Sequence, residues 1–193
     1  MKLVEKDKLG NKLLSKNKIK VGILGGTFDP AHKGHLEISK IAKKKYKLNY
    51  IIWAITEKNP FKKKSITKLK SRIKFSKKLI ARNKFIKVRF YENKIKSNKT
   101  IDLINYLAKH LNRPKLYFII GADNLINFHK WHKWRKILQK CNILVFDRKG
   151  YKSKSLKSIV FKRFKQKKLD FIKFKKVNIS SSKLRKIYSN KIL

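Results

Sequence analysis

Residues 21–35, VGILGGTFDPAHKGH, constrain the fold more than any other part of this chain. Ile19, Val21, Ile23 and Leu24 make an apolar run of the kind a strand shows when both its faces are covered, as in a parallel sheet. The run stops at Gly25 and Gly26, passes through Thr27, Phe28, Asp29 and Pro30, and reaches His32 and His35 around Lys33 and Gly34. Leu36, Ile38, Ile41 and Ala42 then recur at helical spacing. A strand that ends in glycines and restarts as a helix suits an anionic ligand. Glycine lets the backbone come close, and the helix N-terminus presents open N–H groups and the positive end of its dipole. Two histidines three residues apart at that helix start share one side and can face one ligand.

A chain of 193 residues is long enough for one domain with a full hydrophobic core, expected over 19–193. Residues 1–18 read as a loosely ordered basic extension. The charge is extreme: 55 Lys and Arg against 10 Asp and Glu, a formal net charge of +45. Clustered cations bind nucleic acids by displacing counterions from phosphates. Here, however, lysines are spread over every segment between apolar residues, with no zinc-ligand set or RNA-recognition aromatic motif. Lysine as the general filler of solvated positions is the preferred reading, with no specific nucleic acid as partner. The broad positive field is expected to attract anionic nucleotides in either case. The single cysteine, Cys141, excludes an intrachain disulfide and a multi-cysteine metal site, and its place at a helix–strand boundary predicts a packed thiol. Charges interrupt residues 1–20 too often for a signal-peptide core, and no run approaches the ~18 apolar residues of a membrane span. A cytoplasmic protein with no membrane partner is expected; the oligomeric state is not readable.

Along the chain, periodicity predicts a buried strand over 49–55 and a basic loop over 56–64, TEKNPFKKK. A helix over 66–81 follows, with Ser65 or Thr67 as cap, then a strand over 85–91. An amphipathic helix over 100–111 is headed by Thr100, whose simplest role is N-cap. The strand over 115–120 ends in Gly121, Ala122, Asp123 and Asn124. Two strand ends carrying polar groups, at 25–26 and 121–123, mark the two sides of one cleft, because open parallel sheets bind ligands outside the carboxyl ends of their strands. Asp123 has an alternative as a helix cap. An aromatic stretch over 128–134 predicts a packed face, with His129 and His132 at the surface. A short helix over 135–139, a strand over 142–146, a helix around 156–167 and a strand over 169–177 complete the pattern. Ile179, Ser180, Ser181 and Ser182 then open a further helix, where hydroxyls and backbone N–H groups make a second anion cradle unless they serve as plain caps. Arg185, one turn in, adds a planar donor fork.

The pattern GGTFDPxHxGH, with GADNL at 121–125 and ISSSKLR at 179–185, resembles the nucleotidyltransferases that carry an HxGH motif. Trp131 and the Asn59, Pro60, Phe61, Lys62 loop narrow the resemblance to the nicotinate-nucleotide adenylyltransferases, over about residues 19–187. Neither a GxGxxG fingerprint nor a GxxxxGK[ST] P-loop occurs. The resemblance implies an α/β fold, a single Rossmann-like doubly wound parallel sheet, and transfer of AMP from ATP to nicotinate mononucleotide with release of pyrophosphate. By resemblance, His32, His35 and Arg185 are the catalytic residues. Gly25, Gly26, Thr27, Phe28, Gly121, Asp123, Ile179, Ser180, Ser181 and Ser182 hold ATP. Asn59, Lys62, Thr100, Trp131 and Arg148 hold the mononucleotide, with Trp131 stacked on the pyridine ring. Mg²⁺ is expected on the ATP phosphates, with no ligand from a protein side chain. The chain departs from the family pattern in its NPFK loop, in Lys149 where relatives carry proline after the arginine, and in Ser182 where threonine is usual. Two alternatives stand beside this reading. One is a sister adenylyl- or cytidylyltransferase, accepting pantetheine phosphate or nicotinamide mononucleotide. The other is a basic nucleic-acid-binding protein on the same fold.

Overall fold

In the computed structural model, strands and helices alternate through most of the chain, and residues 18–58, 65–165, 167–174, 181 and 184 are described. The order is β1 (Lys20–Gly26), α1 (Lys33–Tyr46), β2 (Tyr50–Ile55), α2 (Leu69–Ile80), β3 (Ile86–Phe90), α3 (Glu92–Ile95) and α4 (Thr100–His110). There follow β4 (Lys115–Gly121), α5 (Ala122–Ile126), a 3-10 turn (Phe128–Lys130), α6 (Trp134–Lys140), β5 (Cys141–Phe146), α7 (Lys152–Leu156), α8 (Ile159–Phe164) and β6 (Leu169–Ile172). All six strands are parallel, in the order β3-β2-β1-β4-β5-β6. The order reverses between β1 and β4, so a crevice opens above their carboxyl ends.

The four central strands, β2, β1, β4 and β5, send alternate residues to two cores. Ile52, Phe118, Ile143 and Val145 face one side with Ile101, Ile104 and Leu107 of α4 and Ile137 of α6. Ile51, Trp53, Ile119 and Leu144 face the other, where Ala42 of α1 is buried and Ile73 and Leu79 of α2 pack. This double burial explains why the strands read as continuous apolar runs.

Three sequence expectations need correction. Helix α2 begins at Leu69, not at 66, and neither Ser65 nor Thr67 caps it: its N-cap is Lys68, without a side-chain bond. The Asp29 carboxylate instead accepts the Ile66 and Thr67 N–H groups, at 2.8 and 3.3 Å, and takes those residues out of the helix. The helix expected over 156–167 is two short ones, because Ser158 stops the first and caps the second by accepting the Phe161 N–H. Thr100 is the first helical residue of α4 rather than its cap, which is Lys99. Residues 1–17, which hold the predicted N-terminal extension, lie outside the described residues, as does most of the chain beyond 174. Among the described residues no helix is long and apolar enough to cross a membrane.

Candidate active site

The turn from β1 into α1 is shaped by Phe28, which adopts φ 48, a left-handed conformation that costs a bulky residue ~1–3 kcal/mol. Burial of its ring, ~1.5–3 kcal/mol, offsets this. The ring is 3% exposed and stacks on Trp53 at 5.0 Å between centroids. Trp53 is fixed in turn: its Nε1–H donates to Ser39 Oγ at 2.9 Å, and the Ser39 hydroxyl donates to the His35 carbonyl at 2.8 Å. The left-handed position therefore falls on Phe28, and the two glycines before it serve another purpose. A Cβ on Gly25 would meet only Phe118 at 3.4 Å, and one on Gly26 only Phe28 at 3.6 Å. Both glycines line the adjoining cavity, so their missing side chains leave room rather than conformational freedom.

His32 and His35 cap α1 reciprocally. His32 is the N-cap, and its Nδ1 accepts the Gly34 N–H at 3.1 Å. His35 Nδ1 reaches back to accept the His32 N–H at 3.2 Å. An Nδ1 that accepts a hydrogen bond carries no proton, so both imidazoles are neutral and hold their proton on Nε2. The ring centroids lie 3.9 Å apart. Burial, and secondarily the positive charge of Arg148, pulls His32 down to about 4, which keeps it neutral at physiological pH. The turn thus presents two fixed N–H donors next to a helix N-terminus, a donor set that fits phosphate oxygens.

On the other side of the crevice, Asp123 at the start of α5 accepts from Arg148 Nη1 at 2.6 Å. Asp123 sits within the helix, whose N-cap is Gly121, so the capping alternative for Asp123 does not apply. Gly121 is needed for space: a Cβ there would lie 2.5 Å from Asp123 Oδ1. Ser181, distant in sequence, donates its hydroxyl to the Pro30 carbonyl at 3.0 Å and so stands at the β1–α1 turn. Ile179, Ser180, Ser182 and Arg185 lie outside the described residues, as do Asn59 and Lys62.

A cavity of 380 Å³ opens beside the histidine turn, above the ends of β1, β2 and β4. Trp131 and Thr100 both line it, with Tyr91, Leu103, Phe118 and Ile120 as further apolar wall. The Trp131 indole stands edge-on to Phe118, at 6.0 Å and 82°, and tilted against Phe128 at 5.1 Å. Lys58, Lys99 and Lys130 stand at the cavity and favour an anionic occupant. Arg148, expected among the mononucleotide residues, does not line this cavity: its partner Asp123 and its effect on His32 put it on the opposite flank. His132 is exposed at the cavity, whereas His129 is only half-buried, with its Nδ1 enclosed, rather than a surface residue.

Sequence reasoning missed Arg72 altogether. It is 2% exposed, and its guanidinium donates to four backbone carbonyls: Nε to Thr67 at 3.0 Å, Nη1 to Thr27 at 2.6 Å and Thr56 at 2.8 Å, and Nη2 to Glu57 at 3.1 Å. Glu92, also missed, accepts the Thr56 hydroxyl and the Glu57 N–H from the other side. The available signal was an arginine on the inward stripe of a helix, between Leu69 and Ile73, in a chain that otherwise uses lysine.

Fold and site together define an α/β transferase of the nucleotide-handling class, with a pair of capped histidines at one strand end and an aromatic cleft beside them. The cytidylyltransferase-like family model matches residues 23–187. A Pelagibacter ubique protein named "Probable nicotinate-nucleotide adenylyltransferase" is 67% identical over 174 residues, 90% of this chain and 96% of its own. A Brucella suis protein of the same name is 33% identical over 190 residues, 89% of this chain and 96% of its own. The chain belongs to the nicotinate-nucleotide adenylyltransferases, within the cytidylyltransferase-like family. Its fold is also that of the Plasmodium falciparum nicotinic acid mononucleotide adenylyltransferase complexed with APC (TM-score 0.68, 21% identity, 88% of this chain and 83% of that one).

Proposed function

We propose that this protein transfers AMP from ATP to nicotinate mononucleotide, giving deamido-NAD and pyrophosphate. The observation that carries the reading is the juxtaposition of two neutral Nε2–H donors at the start of α1 with the Trp131-walled cavity. Family membership and the names of the relatives support it.

A phosphate oxygen of the mononucleotide attacks the α-phosphorus of ATP, and the bond from that phosphorus to the β-phosphate bridge breaks as pyrophosphate leaves. The attacking phosphate is already ionised at neutral pH, so the protein has no proton to remove. Its task is to align two anions and to meet charge where it develops. His32 and His35 donate through Nε2–H to the phosphates, and His32, lowered to about 4, brings no titration into the physiological range. Thr27 and Phe28 offer backbone groups at the same turn. Gly25 and Gly26 leave space at the strand end. Asp123 accepts a ribose hydroxyl, with Gly121 giving it room and Arg148 orienting it. Ser181 is tied to Pro30 at the same turn, and the family pattern assigns Ile179, Ser180, Ser182 and Arg185 to the triphosphate with it. In the cavity Trp131 stacks on the pyridine ring and Thr100 forms part of the wall, and the family pattern assigns Asn59 and Lys62 to the mononucleotide. Mg²⁺ bound to the ATP phosphates would supply charge neutralisation on the leaving group; the histidine turn, with both Nδ1 atoms committed to backbone N–H groups, would not chelate it.

The test is pyrophosphate release from ATP with each of three acceptors: nicotinate mononucleotide, nicotinamide mononucleotide and phosphopantetheine. Fastest release with the first is expected. Release with phosphopantetheine alone overturns the assignment.

A further inference from the structure

We propose that Arg72 is a positioning residue that sets the separation between the ATP phosphates and the acceptor, by binding the β1–α1 turn and the end of β2 through one guanidinium. The proposal rests on the adenylyltransferase reading and adds to it a residue outside the reacting groups.

Arg72 touches no open surface, and each of its four bonds goes to a main-chain carbonyl. Thr27 belongs to the turn that carries the histidines. Thr56 follows β2 and lines the acceptor cavity. Nη1 alone bonds both, at 2.6 and 2.8 Å, so one nitrogen joins the two substrate sides. The remaining bonds extend the frame to Glu57 and Thr67. Carboxylates hold the same segments from outside. Glu92 takes the Thr56 hydroxyl and the Glu57 N–H, and Asp29 takes the Ile66 and Thr67 N–H groups. The segments at 56–57 and 66–67 are thus gripped by carbonyls from the arginine and by donors from an acid.

Composition makes the cluster more telling. The chain has only ten acidic residues, and three of them, Asp29, Glu57 and Glu92, act on the charge of Arg72. It has eight arginines among its 55 cations, and the buried cation at this junction is one of them. A lysine cannot replace it: an ammonium is a point donor with three N–H bonds, whereas these four carbonyls are served from three nitrogens of a planar fork. Because reacting atoms must be held near contact distance, a displacement of about 1 Å between the two sides can lower turnover ~100-fold. Neither substrate needs to bind more weakly for that loss to occur.

The experiment compares wild type with Arg72→Lys and Glu92→Gln, at a temperature well below each melting point, using whichever acceptor the wild type adenylylates fastest. A different preferred acceptor would thereby correct the functional reading while leaving the Arg72 comparison intact. Arg72→Lys is expected to keep the native circular dichroism spectrum, lose ~100-fold in kcat and change either KM by less than ~5-fold. A residue that only stabilises the fold would lower the melting temperature and leave kcat of the folded enzyme unchanged, and that result overturns the proposal. Should Arg72→Lys not fold, Glu92→Gln decides. It removes one of the two acceptors holding residues 56 and 57, and is expected to lower kcat ~10-fold with both KM values kept; wild-type kcat there overturns the proposal equally.

Discussion

His32 links the geometry of the phosphate turn to a measurable pH dependence of stability. Its ring is neutral in the fold because Nδ1 accepts the Gly34 N–H, and burial together with the Arg148 charge lowers it from 6.5 to about 4. In the unfolded chain the same group returns to its ordinary value of about 6.5. Between those two values the unfolded state binds the extra proton, so stability rises with pH across the window. The contribution is complete above about pH 6.5 and is lost as pH falls through about 4. One unit of displacement corresponds to about 1.4 kcal/mol, and the solvent that still reaches this half-buried ring reduces the total to about 2 kcal/mol. For a domain of this size that is a shift of about 4–8 °C in Tm. The matched comparison is His32→Asn, whose amide oxygen can still cap Gly34 but which does not titrate. Thermal melts of both proteins at fixed ionic strength should diverge by this amount between neutral pH and about pH 4, with wild type falling more steeply. All other titrating groups are common to the pair and cancel in the difference. Parallel curves across the window would refute the capping arrangement and, with it, the neutral Nε2–H donors.

Three further outcomes follow from the same geometry. Gly121→Ala places a Cβ 2.5 Å from Asp123 Oδ1, so the carboxylate that pairs with Arg148 must shift; KM for ATP should rise ~10-fold with kcat less affected, and an unchanged KM would remove Asp123 from the nucleotide site. Trp131→Ala takes the flat face out of the cavity while leaving the histidine turn untouched; a lost stacking interaction of ~1–1.5 kcal/mol should raise the acceptor KM ~10-fold and leave that for ATP alone, which paired kinetics can separate. Cys141 is buried, with its thiol pushed up to about 12 and its Sγ 3.1 Å from the Ile137 carbonyl; it should resist iodoacetamide in the native protein and react only on unfolding, followed by mass spectrometry.

What the sequence makes legible here divides by physical cause. Strands buried on both faces are long apolar runs, so β1, β2, β4 and β5 lie within a residue or two of their predicted bounds. The histidine pair is legible because three-residue spacing at a strand-to-helix junction admits few geometries, and His32 and His35 do share the turn. Features set by tertiary hydrogen bonds are not legible. Nothing local to residues 66–68 announces that Asp29 will take their N–H groups and delay α2 to Leu69. Nor does residue 148 reveal that it will turn toward Asp123 and His32 instead of the cavity. Nor does the sequence show that the one left-handed residue of this turn is Phe28, whose conformation, disfavoured locally, is held by its stack on Trp53.

The composition that looked least informative sharpens the site when read by exception. Where lysine fills almost every solvated position, its replacement by arginine or by an acid marks a place where a point charge on a flexible stem does not serve. Arg72 needs a fork that reaches four carbonyls, Arg148 pairs with Asp123, and Asp29 and Glu92 accept from backbone N–H groups that no cation could satisfy. The same logic explains why neutral imidazoles suit the role proposed for them. In a chain of net charge +45 an anionic nucleotide is drawn to the whole surface, so attraction alone cannot select one orientation. On the proposed reading, selection falls to donors fixed in direction: two imidazole N–H groups locked by reciprocal capping, at a turn that Arg72 ties to the end of β2. Charge would then gather the substrates, and the hydrogen-bonded frame would decide which of their atoms meet.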